Sequence, residues 1–284
     1  MGCDTEVERE QIDKYEFNTA DKRIAVYPSP EPDSPIVYIN TFEGEGDNVY
    51  RALENMDNPA FTLVAVSGLK WEHDMAPWDI PPLSKKSTPC IGGADDYLQL
   101  LREEIMPRAE KMADGVSWRG LAGYSLAGLF TVYSLYRTDL FSRIASVSGS
   151  LWFPGLMDYI TSHEMKRIPD CVYFSLGDLE RRTRKPCLKT VQENTERIRS
   201  FYAGHGIDTF FQLNPGNHFK NADQRTAAGI SWILNRQVKA ALACRASILE
   251  RLDRGELPID KPGNKYPYDA GTKFANKNCV RKSI

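Results

Sequence analysis

The segment Gly-Tyr-Ser-Leu-Ala at residues 123–127 constrains the fold of this chain more than any other part of the sequence. Residues 117–122 before it can form a short buried strand, and residues 126–136 after it form an apolar helical pattern. A serine with small residues two positions before and two positions after it, at a strand-to-helix junction, is typical of the turn called the nucleophile elbow. The fifth position of that turn is usually Gly, and Ala127 departs from it by one methyl group.

A turn of this kind would place the Ser125 side chain at the C-terminal edge of a sheet, where a ligand can reach it. Gly123 and Ala127 would be small because the strand and the helix pass close together there. The backbone N–H of Leu126, at the start of the helix, could then stabilise an oxyanion. The alternative interpretation is a glycine-rich strand end that exposes a serine without any chemistry.

Short apolar, β-branched runs alternate with helical patterns along most of the chain. This alternation favours an α/β fold with a mostly parallel central sheet and helices on both faces. The predicted strands lie at residues 23–27, 35–40, 61–66, 117–122, 143–147, 171–176 and 208–213. The predicted helices lie at residues 95–112, 126–136, 188–203 and 226–252.

The chain shows no internal repeat and no linker that would divide it. We therefore expect one domain over residues 1–255. A Trp- and Pro-rich segment, residues 68–93, interrupts the alternation and is expected to be a loop insertion near the functional site. Residues 256–284 are rich in Pro, Lys, Asn and Tyr and are expected to form a polar C-terminal tail.

Composition argues against several classes of partner. The chain has 36 Lys and Arg against 38 Asp and Glu, and its net charge of −2 gives no electrostatic case for nucleic acid or an anionic membrane. No apolar run approaches the roughly 20 residues that a membrane span needs. Residues 1–15 lack the basic start and apolar core of a secretory signal. We expect a cytoplasmic protein without nucleic-acid or membrane partners, and the sequence leaves its oligomeric state open.

The chain also lacks the patterns that announce a cofactor. Its six cysteines are scattered without a C-x-x-C pair, which suits reduced thiols in a cytosol. No His, Cys and carboxylate cluster has metal-ligand spacing, so we expect no metal site. The sequence contains neither a phosphate-binding loop nor a glycine-rich dinucleotide motif after a strand, and we therefore expect no cofactor.

A serine hydroxyl becomes a useful nucleophile only when a base removes its proton. In chains with this turn the order is serine, acid, histidine, which leaves His163, His205 and His218 as candidates. His218 lies directly after the last predicted strand, in a loop expected to point toward the elbow. His205 lies at the predicted end of a helix, and so at the opposite edge of the sheet. We predict His218 as the base; the alternative is a loop histidine with only local hydrogen bonds.

The acid that orients this histidine should follow the penultimate strand, which runs into Ser-Leu-Gly-Asp-Leu-Glu at residues 175–180. Glu180 is favoured because an acid three positions after a glycine is a frequent arrangement. Asp178 is the runner-up, since it is shorter and nearer the strand end. Both could instead be solvated loop charges, and a Ser–His dyad without an essential acid is a further alternative.

A second oxyanion donor should come from the loop after the second predicted strand, residues 40–46. The glycines of this loop indicate unusual backbone dihedral angles. The backbone N–H groups of Thr41 and Phe42 are the candidate donors. A plain surface turn is the alternative.

Three aromatic residues are candidates for a substrate pocket. Trp152 directly follows a predicted strand end and is expected to line an apolar pocket for an acyl or aromatic group. Trp71 in the 68–93 insertion and Tyr124 beside the serine are further candidates. Each of these side chains could instead anchor a loop to the core.

Four motifs occur in an order that resembles a known family: Gly-Tyr-Ser-Leu-Ala-Gly-Leu-Phe, Val-Ser-Gly-Ser-Leu-Trp-Phe-Pro, Ser-Leu-Gly-Asp-x-Glu and Gly-Asn-His-Phe. They are similar to the esterase branch of the α/β-hydrolase superfamily, which includes siderophore (enterochelin-type) esterases and related acyl esterases. The similarity extends over about residues 23–252. It implies an α/β-hydrolase fold, Ser125 as nucleophile, His218 as base, Glu180 or else Asp178 as acid, and ester hydrolysis without a cofactor.

These patterns predict a serine esterase that acts on a small-molecule ester through an acyl-enzyme intermediate. A siderophore (trilactone) esterase is one alternative, for which the basic residues 181–185 argue and the slightly negative overall charge does not. An acyltransferase or a serine peptidase on the same fold would use the same three residues. A non-catalytic binding module is the alternative from a different class.

Overall fold

A computed structural model describes residues 12–85 and 87–236 of the chain. Within these residues, eight strands form a single sheet. In chain order they are β1 (Tyr15–Thr19), β2 (Lys22–Tyr27), β3 (Ile36–Asn40), β4 (Thr62–Ser67), β5 (Arg119–Tyr124), β6 (Arg143–Val147), β7 (Cys171–Gly177) and β8 (Asp208–Asn214). The order across the sheet is β1-β2-β4-β3-β5-β6-β7-β8.

The sheet is parallel from β4 to β8, and only β1 and β2 are antiparallel to their neighbours. Every residue of β3, β6 and β7 is buried. Continuous apolar runs are typical of parallel strands that are covered on both faces, because neither face can be polar. The predicted mostly parallel sheet is confirmed.

Helices cover both faces of the sheet. The described helices are α1 (Gly46–Glu54), α2 (Trp71–Asp74), α3 (Ala94–Leu100), a π-helical turn (Leu101–Ile105), α4 (Met106–Glu110), α5 (Leu126–Ser134), α6 (Leu156–Ser162), α7 (Pro186–Lys189), α8 (Val191–Gly204) and α9 (Ala222–Asn235). One buried cluster, with Tyr38 and Phe174, includes the apolar residues of α3, α5 and α8. The other, with Val37 and Tyr173, includes those of α1 and α9. Alternate strand residues thus enter opposite cores, as strand geometry requires.

The helix that follows the elbow is enclosed by the protein. All nine residues of α5 are buried, and a helix that is apolar on every side is expected only where protein surrounds it. Its polar side chains are satisfied internally: Thr131 Oγ1 donates to Gly128 O at 2.8 Å and Ser134 Oγ to Thr131 O at 2.8 Å. This burial fixes the position of the helix N-terminus.

Several described elements were not predicted from the sequence, among them β1 and α1. β1 is an edge strand of five residues, of which only Thr19 is buried. α1 lies partly in the segment predicted as a loop and buries only Gly46, Val49 and Leu53. Sparse apolar positions give a weak periodic signal, because tertiary packing on one stripe is what stabilises such elements.

Other differences concern boundaries. The predicted helix 95–112 is three consecutive helical pieces with a π-helical turn between α3 and α4. The predicted insertion 68–93 is more than a loop, since it holds α2 and an antiparallel bridge between Ile80 and Cys90. α9 covers the start of the predicted helix 226–252, whose residues after 236 lie outside the described residues, as does the predicted tail 256–284.

The parallel strands end at one edge of the sheet. Loops after β3, β5, β6, β7 and β8 therefore meet there, which is where ligands bind in open α/β sheets. In the described part of the chain, no helix is long and apolar enough to cross a membrane.

Candidate active site

Ser125 occupies a strained turn between β5 and α5. Its φ of 58° and ψ of −121° lie outside the regions that a residue with a side chain usually adopts. Its N–H donates to Val147 O at 3.1 Å, so β6 helps to hold the turn. Strain of this kind persists only where the surrounding structure imposes it, and it concentrates at functional sites.

The small residues of the elbow are explained by close approach of backbone. A Cβ atom at Gly123 would lie 2.4 Å from the carbonyl carbon of Ala127 and 2.7 Å from its Cβ. A Cβ atom at Gly128 would lie 2.8 Å from Gly149 Cα. The elbow therefore needs Gly at 123 and 128, whereas the Ala127 methyl group is accommodated and fully buried.

Ser125, His218 and Glu180 form one hydrogen-bonded chain. Ser125 Oγ lies 3.0 Å from His218 Nε2, and His218 Nδ1 lies 2.8 Å from Glu180 Oε2. With the proton on Nδ1, the imidazole donates to the carboxylate and leaves Nε2 to accept from the serine. The three residues lie in the loops after β5, β7 and β8, so the parallel sheet brings together positions 93 and 38 residues apart.

The carboxylate of Glu180 is buried and fully engaged. Its side chain is 5% exposed, and its Oε1 accepts from the Gly177 N–H at 2.6 Å and from Ser148 Oγ at 2.8 Å. Burial opposes ionisation, but the hydrogen bond and charge of His218, with the bonds from Gly177 and Ser148, lower the pKa of this carboxyl below its ordinary value. Glu180 is therefore held as an anion beside the imidazole.

Asp178, the runner-up acid, has a different role. Its Oδ1 accepts from the Gly216 N–H at 2.8 Å, and its own N–H donates to Asn214 O at 2.8 Å. These bonds join the loop after β7 to the loop after β8. The structure thus places Glu180, and not Asp178, against His218.

The three candidate oxyanion donors differ in whether their backbone N–H groups are already hydrogen-bonded. Leu126 is the first residue of α5, so its N–H has no acceptor within the helix. The Thr41 N–H donates to Val66 O at 2.9 Å, which removes it as a donor and corrects that prediction. Phe42 follows at the start of the loop, and none of the backbone acceptors in the described residues pairs with its N–H. Leu126 and Phe42 are the two remaining candidates.

The three candidate pocket residues have different surroundings. Tyr124 contacts His218, with ring centroids 5.4 Å apart, and its hydroxyl donates to the His218 carbonyl. Trp71 packs edge-on against Phe42 at 5.1 Å. Trp152 is partly buried against the core and lies 6.0 Å from the Phe153 ring. Tyr124 and Trp71 thus touch candidate site residues, and no contact between Trp152 and the three hydrogen-bonded residues is found among the described residues.

The remaining histidines are hydrogen-bonded to groups outside the Ser125–His218–Glu180 chain. His205 is exposed at the end of α8 and bonds to Phe201 O at 2.8 Å, as its predicted place at the opposite edge implies. His163 lies 3.0 Å from Tyr159 O. His73 pairs with the buried Asp74 at 2.9 Å. No cluster of three or more His, Cys, Asp or Glu side chains that could hold a metal occurs within the described residues.

Sequence reasoning missed several residues that surround the site. Ser148, with a φ of 44°, donates to Glu180, and Ser150 Oγ lies 3.5 Å from Ser125 Oγ. Both belong to the Val-Ser-Gly-Ser motif, so that motif was the available signal. Arg225 lies 3.5 Å from Glu180 Oε1 and is equally buried. A lone arginine in the first turn of a helix gives no signal in the sequence.

Comparison with known proteins finds relatives in sequence and in fold. The YbbA protein of Bacillus subtilis (strain 168), described as uncharacterized, is 24% identical over 196 residues, covering 64% of this chain and 78% of YbbA. An IroE-like serine hydrolase from Shewanella oneidensis superposes with a TM-score of 0.65 at 14% identity, covering 86% of this chain and 88% of the other. The siderophore hydrolase EstB from Aspergillus nidulans superposes with a TM-score of 0.62 at 17% identity, covering 78% of this chain and 95% of EstB.

These superpositions show that the fold is that of the α/β-hydrolases. The sequence model of one family, described as "Putative esterase", matches residues 48–198, which is more than half of the 284-residue chain. The match includes Ser125 and Glu180 and ends before His218. The chain therefore belongs to this esterase family.

Proposed function

We propose that this protein is a serine esterase that hydrolyses a small-molecule carboxylic ester through an acyl-enzyme intermediate. One observation carries the proposal: Ser125, at a strained elbow, is hydrogen-bonded to His218, which is hydrogen-bonded in turn to the buried Glu180. This is the arrangement of nucleophile, base and orienting acid that acyl transfer requires. Membership of the esterase family supports the same reaction class.

In the first step, Ser125 Oγ attacks the ester carbonyl carbon while His218 Nε2 takes the hydroxyl proton. The C=O bond electrons move to the oxygen, and the resulting oxyanion is bound by the N–H groups of Leu126 and Phe42. Collapse of this intermediate breaks the ester C–O bond. The alcohol leaves with the proton from His218, and the acyl group remains on Ser125.

In the second step, water replaces the alcohol. His218 removes a proton from water as its oxygen attacks the acyl-enzyme carbonyl, and the same two N–H groups bind the oxyanion. The Ser125–acyl bond then breaks, and the serine oxygen recovers its proton from His218. Glu180, held as an anion, keeps the imidazole oriented and stabilises its cationic form in both steps.

Apolar side chains near the reacting groups support an ester with an apolar part. Phe219, next to His218, is 84% exposed, and Phe42 is 56% exposed. Both lie at the same sheet edge as Ser125, and large exposed apolar side chains at such an edge are suited to ligand contact. We place Trp152 in the same pocket because it lies two residues after Ser150, whose N–H donates to Ser125 O at 2.9 Å.

The second candidate is hydrolysis of a siderophore ester. It is favoured by the exposed Arg181, Arg182 and Arg184, which follow Glu180 directly and would attract an anionic substrate. Two neighbours of this fold are siderophore hydrolases from Aspergillus nidulans by name. Hydrolysis of a catecholate trilactone that weakens steeply with added salt would favour this candidate over a neutral ester.

The test is hydrolysis of a p-nitrophenyl ester series, acetyl to octanoyl, near pH 8, by the wild type and Ser125→Ala. We expect turnover by the wild type and a loss of roughly 10⁴-fold or more in the variant. Labelling by a fluorophosphonate is measured in parallel, because it needs only an activated serine. Absence of both turnover and labelling in the wild type would contradict the proposal.

A further inference from the structure

Arg225 is a buried charge beside the candidate active site. Its side chain is 4% exposed, although it lies in the first turn of α9. A cation is disfavoured at that end of a helix, since the N-terminal N–H groups already carry partial positive charge. An arginine in this position needs strong compensation from its neighbours.

The compensation comes from the residues that hold the catalytic histidine. The guanidinium donates to two backbone carbonyls of the His218 loop, from Nη2 to Pro215 O and from Nη1 to Asn217 O, each at 3.1 Å. These carbonyls flank Gly216, whose φ of 112° only glycine adopts readily. Arg225 therefore fixes the shape of the turn immediately before His218.

The same guanidinium reaches the acid. Its Nη1 lies 3.5 Å from Glu180 Oε1 and 3.4 Å from Ser148 Oγ, which itself donates to that oxygen. It also lies 3.4 Å from the hydroxyl of Tyr124, whose proton goes to the His218 carbonyl. One side chain thus contacts the acid, the base loop and a residue adjacent to Ser125.

Arg225 packs closely against the end of β7 and the His218 loop. A Cβ atom at Gly177 would lie 2.3 Å from Gly216 O, 3.0 Å from Asn217 O and 3.1 Å from Arg225 Nη1. The end of β7, the His218 loop and the guanidinium are therefore in direct contact. Interiors packed at this density transmit a small displacement instead of absorbing it.

We propose that Arg225 is a positioning residue for the esterase reaction, acting through the His218 loop and Glu180. The inference rests on the proposed function. Arg225 holds His218 Nδ1 against Glu180 and Nε2 against Ser125. Glu180 is the charged partner that faces both groups, and Tyr124 is the other titratable group in contact with them.

Arg143 provides a matched control. It is also 4% exposed, and its guanidinium also donates to carbonyls of α9, to Ile233 O at 2.6 Å and Leu234 O at 3.5 Å. It lies at the start of β6, at the opposite edge of the sheet from Ser125. Replacing either arginine removes a buried guanidinium, but only Arg225 contacts the candidate site.

The experiment compares Arg225→Lys, Arg225→Gln and Arg143→Lys with the wild type. It measures kcat, KM, the pH profile of kcat/KM on a p-nitrophenyl ester, and the rate of fluorophosphonate labelling. For Arg225→Lys we expect kcat and the labelling rate to fall roughly 10- to 100-fold, with KM changed less than about threefold. Lysine keeps the charge but lacks the planar fork of donors, so the loss measures positioning and not charge.

Arg225→Gln removes the charge as well. We expect a similar loss of kcat, because the shorter amide of glutamine cannot bridge the Pro215 and Asn217 carbonyls of the His218 loop. Arg143→Lys should keep the wild-type kcat and profile even if its melting temperature falls. If Arg225→Gln does not fold, Arg225→Lys and Tyr124→Phe carry the test, and the second should lower kcat about 2- to 10-fold.

Full kcat and labelling in the Arg225 variants would overturn the inference, as would an equal loss of kcat in Arg143→Lys. If both Arg225 variants fail to fold, full kcat in Tyr124→Phe would overturn it. A wild type that neither turns over nor labels would instead overturn the proposed function, and with it the premise of the inference. These two failures are told apart by the wild-type measurement alone.

Discussion

Two carboxylates two residues apart differ completely in what they contact. Glu180 is buried against His218, whereas Asp178 accepts from Gly216 and joins two loops. The sequence favoured Glu180 on spacing from a glycine, and the structure agrees in placing it beside the histidine. The difference arises because a turn separates the two residues. In this turn the Glu180 N–H donates to Gly177 O at 3.1 Å, and the turn directs the Glu180 side chain back toward β6.

Substitution of Glu180 and of Asp178 tests which of the two carboxylates acts as the acid. Glu180→Gln should lower kcat/KM by roughly 10²- to 10⁴-fold, because a neutral amide neither stabilises the cationic imidazole nor fixes its tautomer. Asp178→Asn is the matched control and keeps an oxygen that can accept from Gly216, so a loss below about 10-fold is expected. Steady-state kinetics on one ester measures both. Equal losses in the two variants would contradict the assignment of the acid.

Among the elements, the elbow is defined by contact between β5 and α5. Gly123 and Gly128 allow backbone atoms to approach where any side chain would collide. The completely buried α5 cannot move away, since protein surrounds it on all sides. The strain at Ser125 is therefore maintained by packing and not by local sequence preference.

Gly123→Ala tests this contact. The added methyl group would lie 2.4 Å from Ala127 backbone atoms, and we expect it to lower the free energy of unfolding by about 1–3 kcal/mol and to displace Ser125. Gly204→Ala, at the end of α8 with no atom within 4 Å of the new methyl group, should change it by less than about 1 kcal/mol. Urea unfolding measures both. A neutral Gly123→Ala with full activity would contradict the packing explanation.

A buried ion pair joins β2 to the short helix α2. Lys22 Nζ lies 2.8 Å from Asp74 Oδ2, with side chains 4% and 7% exposed. Burial opposes the charge of Lys22, but the hydrogen bonds to Asp74 and Asp21 raise the pKa of its ammonium group. Lys22 therefore stays charged, and its contact with Asp74 anchors the start of the 68–93 segment to the sheet.

Lys22→Met should lower the free energy of unfolding by roughly 3–5 kcal/mol, because it leaves the Asp74 carboxylate buried without its cation. Asp21→Asn breaks the exposed contact of the same lysine and should cost less than about 1 kcal/mol, since its carboxylate is half exposed. Chemical denaturation of both variants measures these changes in the free energy of unfolding. A stability loss in Lys22→Met no larger than in Asp21→Asn would contradict the buried pair.

For the molecule as a whole, the two cores are closed to solvent and hold two of the cysteines. Cys90 is 8% exposed and Cys171 is 2% exposed. Burial raises the pKa of Cys90 to about 11 and that of Cys171 to about 12. In the described part of the chain, Cys90 and Cys171 are free thiols, and Cys3, Cys244 and Cys279 lie outside it.

At pH 8 a thiol with these pKa values is thiolate in fewer than about one molecule in a thousand, and only the thiolate reacts with a disulfide reagent. We therefore expect Cys90 and Cys171 to resist Ellman's reagent in the native protein and to react within minutes in 6 M guanidinium. Alkylation with peptide mapping identifies which cysteine reacts. Rapid native labelling of either residue would contradict a closed core.

The α/β alternation, the elbow at Ser125 and the loop that carries His218 were all predictable from the amino-acid sequence. These depend on local rules: the period of apolar residues sets strand or helix, and the steric freedom of glycine sets the turn. Parallel strands then require their C-terminal loops to meet at one edge. The places of Ser125 and His218 at this edge were therefore predictable from residues adjacent in the chain.

Three features became known only from the tertiary structure. They are the carboxylate that faces His218, the backbone N–H that is unpaired and can bind an oxyanion, and the buried arginine that contacts Glu180 and the His218 loop. Thr41 is excluded as an oxyanion donor because its N–H is paired with Val66, 25 residues away. Arg225 contacts Glu180 from a different element of the fold. Hydrogen bonds act over about 3 Å, a distance that folding sets between segments remote in the chain. Patterns of neighbouring residues carry no measure of that distance.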